Sequence, residues 1–263
     1  MKKMITLIGH GYVGEHIAKE LFKAGLNYHW IHHTDLIPLD TEFIINAAGY
    51  TGSPNVDACE IYRQECIDGN VIWPLALERS NNQTPIIHIS SGCIYSGYPL
   101  GGYTEEDEPN FTFNTGSFYS GSKALGQMVL SPYMDKSYLF RIRMPFGRTR
   151  HPKNFLTKME TYKKLISFDN SLTLVDDVGR VCVHFYLTRP QAGIYNVCNP
   201  GKSNAKEISE MMKLEKEWFT IEEFKTATKA PRSNCILSTK KLESVFDIKS
   251  IHETLYEVIA EYK

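Results

Sequence analysis

Residues 4–14 constrain this chain more than any other stretch. Met4-Ile5-Thr6-Leu7-Ile8 is a short apolar run with β-branched residues, the pattern of a strand buried in a parallel sheet. Gly9-His10-Gly11-Tyr12-Val13-Gly14 follows, and Val13, Ile17, Leu21 and Ala24 then recur at helical spacing. Strand, G-x-G-x-x-G turn and helix in that order predict a unit that brings backbone against a dinucleotide's pyrophosphate. Gly9 permits the tight turn, Gly11 lets backbone approach the pyrophosphate, and Gly14 lets the helix pack closely on the strand. The helix start supplies N–H groups and a positive dipole end. A glycine turn in an unrelated α/β protein has the same letters, but the flanking pattern weighs against it.

The rest of the chain alternates in the same way. Tyr28-His29-Trp30-Ile31 reads as a second strand. NAD-specific sites usually place an acid at its end, about 20 residues on, to hold the ribose 2′-hydroxyl. Here that end is His32-His33-Thr34, with Asp35 slightly late, so NADPH is expected in preference to NADH, with His32 a candidate contact. Phe43-Ile44-Ile45-Asn46-Ala47-Ala48-Gly49 is a strand whose small last residues leave room for a ligand across the sheet edge. Thr51 to Asn55 is a polar loop, with Pro54 expected in the first turn of a helix bearing Val56, Cys59, Tyr62 and Cys66. The helical pattern runs on to Leu77 and leaves Pro74 unplaced.

Residues 85–91 form another buried strand, ending in the hydroxyls of Ser90 and Ser91, and 97–110 reads as an exposed loop. Residues 138–144 are a further strand stopped by Pro145. Beyond it the pattern predicts a helix over 154–165, a strand at 172–175, a helix from Asp177 to about Leu187 and a strand at 193–197. Asn204/Glu207, Thr220/Glu223 and Ser250/Glu253 have capping-box spacing. The expected architecture is α/β: a doubly wound parallel sheet in 1–150 and a smaller C-terminal α/β lobe in 151–263, with about 172–198 returning to the first domain.

Tyr119 and Lys123 lie four apart at a helix start, in Ser117-Phe118-Tyr119-Ser120-Gly121-Ser122-Lys123. Side chains four apart share a helix face. A nearby cation favours the phenolate, so the Tyr119 pKa is expected to fall from about 10. A proton donor usable near neutral pH is what carbonyl reduction needs. The same spacing occurs by chance on many helix surfaces, so it carries weight only with the glycine turn and Ser91.

Composition excludes other classes. A chain of 263 residues that is 42% hydrophobic and 22% charged can bury a full core without staples. With a net charge of −1 and no long basic run, neither a nucleic acid nor an anionic membrane is an expected partner. Six cysteines without a C-x-x-C pair read as free thiols in a reducing compartment, and no apolar run reaches about 18 residues, so the cytoplasm is expected.

Together the glycine motif, Asn46-Ala47-Ala48-Gly49, Ser91, Tyr119-x-x-x-Lys123 and Arg141-Ile142-Arg143 resemble the extended short-chain dehydrogenase/reductase family. Residues 46–60, 90–95, 116–123, 141–145, 152–158, 195–201 and 230–242 are most similar to its bifunctional UDP-4-keto-6-deoxyglucose 3,5-epimerase/4-reductases. The resemblance implies a Rossmann fold and an NADPH cofactor, with NADH as the alternative. Gly9, Gly11, Tyr12, Val13, Gly14, His32, Asn46, Ala47, Ala48, Tyr119 and Lys123 would hold that cofactor. It implies Ser91, Tyr119 and Lys123 as the reduction set and Cys93 and Lys158 as the epimerisation pair. Thr51, Asn55, Asn154 and Arg232 would hold a UDP-sugar. A homodimer and a separate 4,6-dehydratase supplying the substrate are further implications. Two departures stand out: GHGYVG replaces the commoner G-x-x-G-x-x-G, and Ser91 stands where relatives often have Thr. A 4-keto-sugar reductase without epimerase activity, and an NADP-binding regulatory subunit, are the rival readings; an intact Ser91/Tyr119/Lys123 set argues against the second.

Overall fold

The computed structural model describes residues 4–81 and 83–263; the basic start of the chain lies outside the described residues. Six strands form one sheet: β1 Met4–Ile8, β2 Tyr28–Ile31, β3 Thr41–Asn46, β4 Ile86–Ser91, β5 Tyr138–Ile142 and β6 Gly193–Asn196. Their order is β2-β1-β3-β4-β5-β6 and every pairing is parallel. Near-continuous apolar runs suit strands covered on both faces. Accordingly Ile5, Leu7, Phe43, Ile45, Ile87 and Phe140 share one buried cluster, while Ile8, Ile44 and Ile86 lie in another. Each fully buried aliphatic side chain contributes about 1.5–3 kcal/mol.

Helix α1 Tyr12–Lys23 buries Ile17 and Leu21 against Val178, Val181 and Phe185 of a helix spanning Val175–Thr188. On the other face Leu77 of the helix Trp73–Ser80 packs beside Ile44 and Ile86. Strand order reverses between β1 and β3, so a crevice opens beyond Ile8 and Asn46, where open α/β sheets bind ligands.

A third cluster gathers Phe146, Leu156, Met159, Leu174, Ile208, Ile251 and Leu255 from the C-terminal half of the chain. The helix expected over 154–165 spans only Phe155–Thr161. Lys164-Leu165 instead pairs in parallel with Glu217-Trp218, a partner too distant for local pattern to reveal. Thr220/Glu223 and Ser250/Glu253 form complete capping boxes. At Asn204 only half forms: its side chain accepts from Lys206 and Glu207 N–H, while the Glu207 carboxylate takes the Ser203 hydroxyl.

Between β3 and β4 the helical pattern is broken into pieces. Pro54 precedes the cap residue Asn55 rather than entering a first turn. Val56–Glu60 is 3₁₀, and Asp68–Ile72 is a π-helical turn leading into Trp73–Ser80. Pro74 is accommodated there: it lacks an N–H and would clash with a carbonyl four residues back in a regular helix, and the wider turn relieves both. The 97–110 loop is not simply exposed. Arg141, 0% exposed, donates to the Thr104 and Glu105 carbonyls, and the Glu105 carboxylate accepts the Asn196 N–H. Among the described residues no helix is long and apolar enough to cross a membrane.

Candidate active site

A cavity of about 800 Å³ runs along the carboxyl edge of the sheet, from the glycine turn past Ser91 and Tyr119 to Lys158 and Arg232. Gly9, at φ +104°, sits where a Cβ would fall 2.8 Å from the Ala48 nitrogen, and a Cβ on Gly14 would fall 2.2 Å from the Gly9 carbonyl oxygen. These two glycines let β1, β3 and α1 close up. Gly11 is different: a Cβ there would meet nothing within 4 Å, and the residue lines the cavity. It caps α1 without a side-chain hydrogen bond, so backbone N–H groups of the first turn face open space. That geometry fits a dinucleotide's pyrophosphate, with Tyr12, Val13, Ala47 and Ala48 also on the wall.

Beside the turn, His10 stacks between Trp30 (4.6 Å) and His32 (4.1 Å). Asp35, four residues beyond β2, accepts the His32 N–H at 2.8 Å. Asn46 lies beneath the surface, not on the wall: it is 1% exposed, and its Oδ1 accepts from Ala48 N–H and Trp73 Nε1. Its amide nitrogen therefore donates to His88 Nδ1 (3.2 Å), which leaves the His88 Nε2 proton for Glu78. The side chain holds the end of β3.

Tyr119 and Lys123 project from the helix Phe118–Leu130, whose cap Ser117 accepts the Ser120 N–H. Both line the cavity with Ser91, which ends β4. The expected fall in the Tyr119 pKa is reversed. Burial, reinforced by the neighbouring Cys93, pushes the phenol up, and the nearby Ser91 hydroxyl offsets only part of this. The Lys123 ammonium, 6.0 Å from the ring centroid, is itself pushed down to about 8 by burial. Spacing placed the two groups correctly, but desolvation decides their acidity. Asn70, which sequence reasoning passed over, organises this corner from the π-helical turn. It donates to the Tyr50 carbonyl (2.9 Å) and Ser122 Oγ (3.0 Å) and accepts the Tyr50 N–H (3.1 Å).

Cys93, two residues beyond Ser91, and Lys158, from the helix Phe155–Thr161, face the same cavity. Burial, then Lys153 and Arg232, push the Lys158 ammonium down. Arg143, another residue unassigned from sequence, donates to Cys93 Sγ at 2.8 Å. Thr51 and Asn55 line the cavity, with Thr51 Oγ1 accepting from Lys153 Nζ. Arg232 lines it too, with one arm on Asp57 (2.9 Å) and the Ala230 carbonyl (2.8 Å). Asn154 does not reach it. It is 0% exposed, caps the Phe155–Thr161 helix through Leu156 N–H, and donates to the Gly147 and Thr149 carbonyls. Its polar atoms are spent on the loop and the helix start, away from the cavity.

A six-stranded Rossmann sheet with a glycine turn, and a hydroxyl, tyrosine and lysine at one cavity, define an extended short-chain dehydrogenase/reductase. Within that class the model of the RmlD substrate binding domain matches residues 5–263, and the chain belongs to that family. A bifunctional dTDP-4-dehydrorhamnose 3,5-epimerase/dTDP-4-dehydrorhamnose reductase of Arabidopsis thaliana is 38% identical over 243 residues, covering 86% of this chain and 79% of that protein. A trifunctional UDP-glucose 4,6-dehydratase/UDP-4-keto-6-deoxy-D-glucose 3,5-epimerase/UDP-4-keto-L-rhamnose-reductase of the same plant is 33% identical, covering 95% of this chain but only 41% of that protein. The crystal structure of the L780 UDP-rhamnose synthase from Acanthamoeba polyphaga mimivirus superposes with a TM-score of 0.90 at 25% identity, covering 98% of this chain and 99% of that one. A dTDP-4-dehydrorhamnose reductase from Bacillus anthracis, solved with NADP, shares the fold with a TM-score of 0.80 at 20% identity, covering 99% of this chain and 100% of that one.

Proposed function

We propose that this protein converts UDP-4-keto-6-deoxy-D-glucose to UDP-L-rhamnose by inversion at C3 and C5 followed by NADPH-dependent reduction at C4. The observation that carries the reading is the shared cavity: Ser91, Cys93, Tyr119, Lys123 and Lys158 lie along one wall system that begins at the glycine turn. The plant and viral relatives named above support the same chemistry.

Gly11, Tyr12 and Val13 at the first turn of α1, with Ala47 and Ala48, would hold NADPH, which would supply the hydride for sugar C4. Tyr119 gives its phenolic proton to the C4 oxygen as the carbonyl electron pair moves onto it. Burial keeps the phenol protonated before the step but makes it a weaker acid, so the proton leaves only with a cation beside the phenolate. Ser91 hydrogen-bonds the same oxygen, and Lys123 holds the ribose and compensates the phenolate that forms. For inversion, the C4 ketone acidifies the protons on C3 and C5. One of Cys93 and Lys158 takes a proton from one face, the electron pair passes to the C4 oxygen as an enolate, and the other returns a proton to the opposite face. The two groups then exchange a proton through solvent, so the cycle is redox-neutral. Lys158, pushed down by burial and cationic neighbours, is closer to a usable base than a surface lysine.

The test is incubation with UDP-4-keto-6-deoxyglucose and NADPH, with product analysis by NMR. UDP-L-rhamnose is expected. NADPH oxidation without inversion at C3 and C5 would leave a simple 4-ketoreductase, and no oxidation would overturn the reading.

A further inference from the structure

We propose that Arg143 is a positioning residue for Cys93, holding its sulfur at the cavity wall and compensating the negative charge it carries during proton transfer. This rests on the epimerase reading above and adds a residue to it.

Arg143 follows β5 directly and is 3% exposed. A guanidinium so buried is costly unless it is compensated. Among the described residues no carboxylate pairs with it. Its Nη2 donates to Asn170 Oδ1 (2.6 Å) and to the Ser233 carbonyl, and its Nε has no partner. Its Nη1 donates to Cys93 Sγ at 2.8 Å. The thiol of Cys93 is therefore the one hydrogen-bonded partner of Arg143 that can become an anion. Burial alone would push the guanidinium down, yet Cys93, Cys235 and Cys198 together push it up.

The support behind Arg143 is rigid. Asn170 Oδ1 also accepts the Cys235 N–H (3.1 Å), and its amide nitrogen donates to the Phe168 carbonyl (3.1 Å) and Asn234 Oδ1 (3.2 Å). The Arg143 N–H is held by Thr173 Oγ1 (2.9 Å). Cys93 is fixed from its other side, its N–H donating to Ser91 Oγ at 3.1 Å. Sulfur and guanidinium are thus held from two sides, by Ser91 behind Cys93 and by Asn170 and Thr173 behind Arg143.

The chemical consequence is direct. Whichever way a proton crosses between Cys93 and the sugar carbon, the sulfur is anionic on one side of the step. A charge-assisted hydrogen bond from Arg143 then strengthens, and the guanidinium remains protonated throughout. When Cys93 gives the proton, the interaction grows as the proton leaves and so accelerates the step; when Cys93 takes the proton, the same interaction raises the fraction of sulfur present as thiolate.

The experiment compares wild type with Arg143→Gln and Arg143→Lys. Three rates are read: deuterium uptake from D₂O into C3 and C5 of UDP-4-keto-6-deoxyglucose, C4 reduction, and alkylation of Cys93 by iodoacetamide followed by mass spectrometry. Loss of one charged hydrogen bond should slow deuterium uptake at saturation by roughly 10- to 100-fold. KM should stay within about a factor of three, and reduction should fall by less than uptake does. Alkylation should slow alongside uptake, and Arg143→Lys, which keeps the charge but lacks the fork, should fall between the other two. If Arg143→Gln does not fold, Arg143→Lys carries the comparison alone. Unchanged Cys93 alkylation in a folded variant, or a loss of reduction as large as the loss of uptake, would overturn the proposal. Should wild type take up no deuterium, the epimerase reading fails, and the alkylation comparison still decides whether Arg143 governs Cys93.

Discussion

Gly126→Ala sets two opposed effects against each other. Gly126 lies inside the helix that carries Tyr119 and Lys123. On helix propensity alone, alanine there should stabilise by about 1 kcal/mol. The added Cβ, however, would fall 2.2 Å from the backbone oxygen of Asn70 in the π-helical turn. That atom cannot rotate away, and the Asn70 side chain already ties the turn to Tyr50 and Ser122. Relief requires the helix and turn to part by about 1 Å, and overpacking of this kind costs about 1–3 kcal/mol. With a backbone atom as the obstacle the upper end applies, so the net loss is about 2 kcal/mol and the Tm falls by about 4–8 °C. A shift of about 1 Å in Tyr119 and Lys123 should lower kcat for reduction on the order of 100-fold. Thermal unfolding and NADPH oxidation measure both. A Tm at or above that of wild type would refute the argument, because propensity would then have prevailed and the close approach could not exist.

Tyr119→Phe should lower C4 reduction by about 10²–10⁴-fold while NADPH still binds; wild-type turnover in this variant would remove Tyr119 from the mechanism. Because Asp35 beyond β2 is turned to the His32 N–H, the protein should bind NADPH more tightly than NADH, and competitive fluorescence titrations giving NADH the lower Kd would contradict this. Asp176 is held down at about 2 because its hydrogen bond to His16, helped by His16, Lys19 and Arg148 charge, outweighs its burial. A carboxyl with a depressed folded-state pKa contributes stability that is full above its ordinary 3.8 and lost as pH falls toward 2. Asp176→Asn should therefore flatten urea-derived stability between those pH values, and an unchanged acid limb would show that the ion pair contributes nothing there.

Local features were readable from sequence. The first strand, glycine turn and helix follow from residues adjacent in the chain, and the Tyr119/Lys123 helix is defined by its own cap and spacing. What depended on distant partners was not. Lys164 and Leu165 continue a helical pattern, yet Glu217 and Trp218 draw them into a strand pair. Asn154 carries the polar atoms of a ligand contact, but nothing local shows that the 147–149 loop consumes them. Arg143 reads as an ordinary strand-end charge until Asn170 and Ser233 arrive to bury it. The acidity of Tyr119 escapes the sequence for the same reason: proximity to Lys123 is visible in the chain, whereas burial is a property of everything packed around it.

The entry of Gly193–Asn196 at the end of the sheet bears on how the chain is made. Residues 138–142 complete the fifth strand with one flank unpaired, and the helix that covers α1, Val175–Thr188, is still to come. At roughly 5–20 residues per second, about 3–10 s of synthesis separate the emergence of that flank from the arrival of its partner. During that time the nascent chain presents an open strand edge and an uncovered apolar helix face, a combination that invites pairing with other chains. A ribosome stalled where residues 138–142 have cleared the exit tunnel and Gly193–Asn196 have not should therefore hold a product that recruits chaperones or aggregates, and one stalled far enough beyond residue 196 for both to clear it should not.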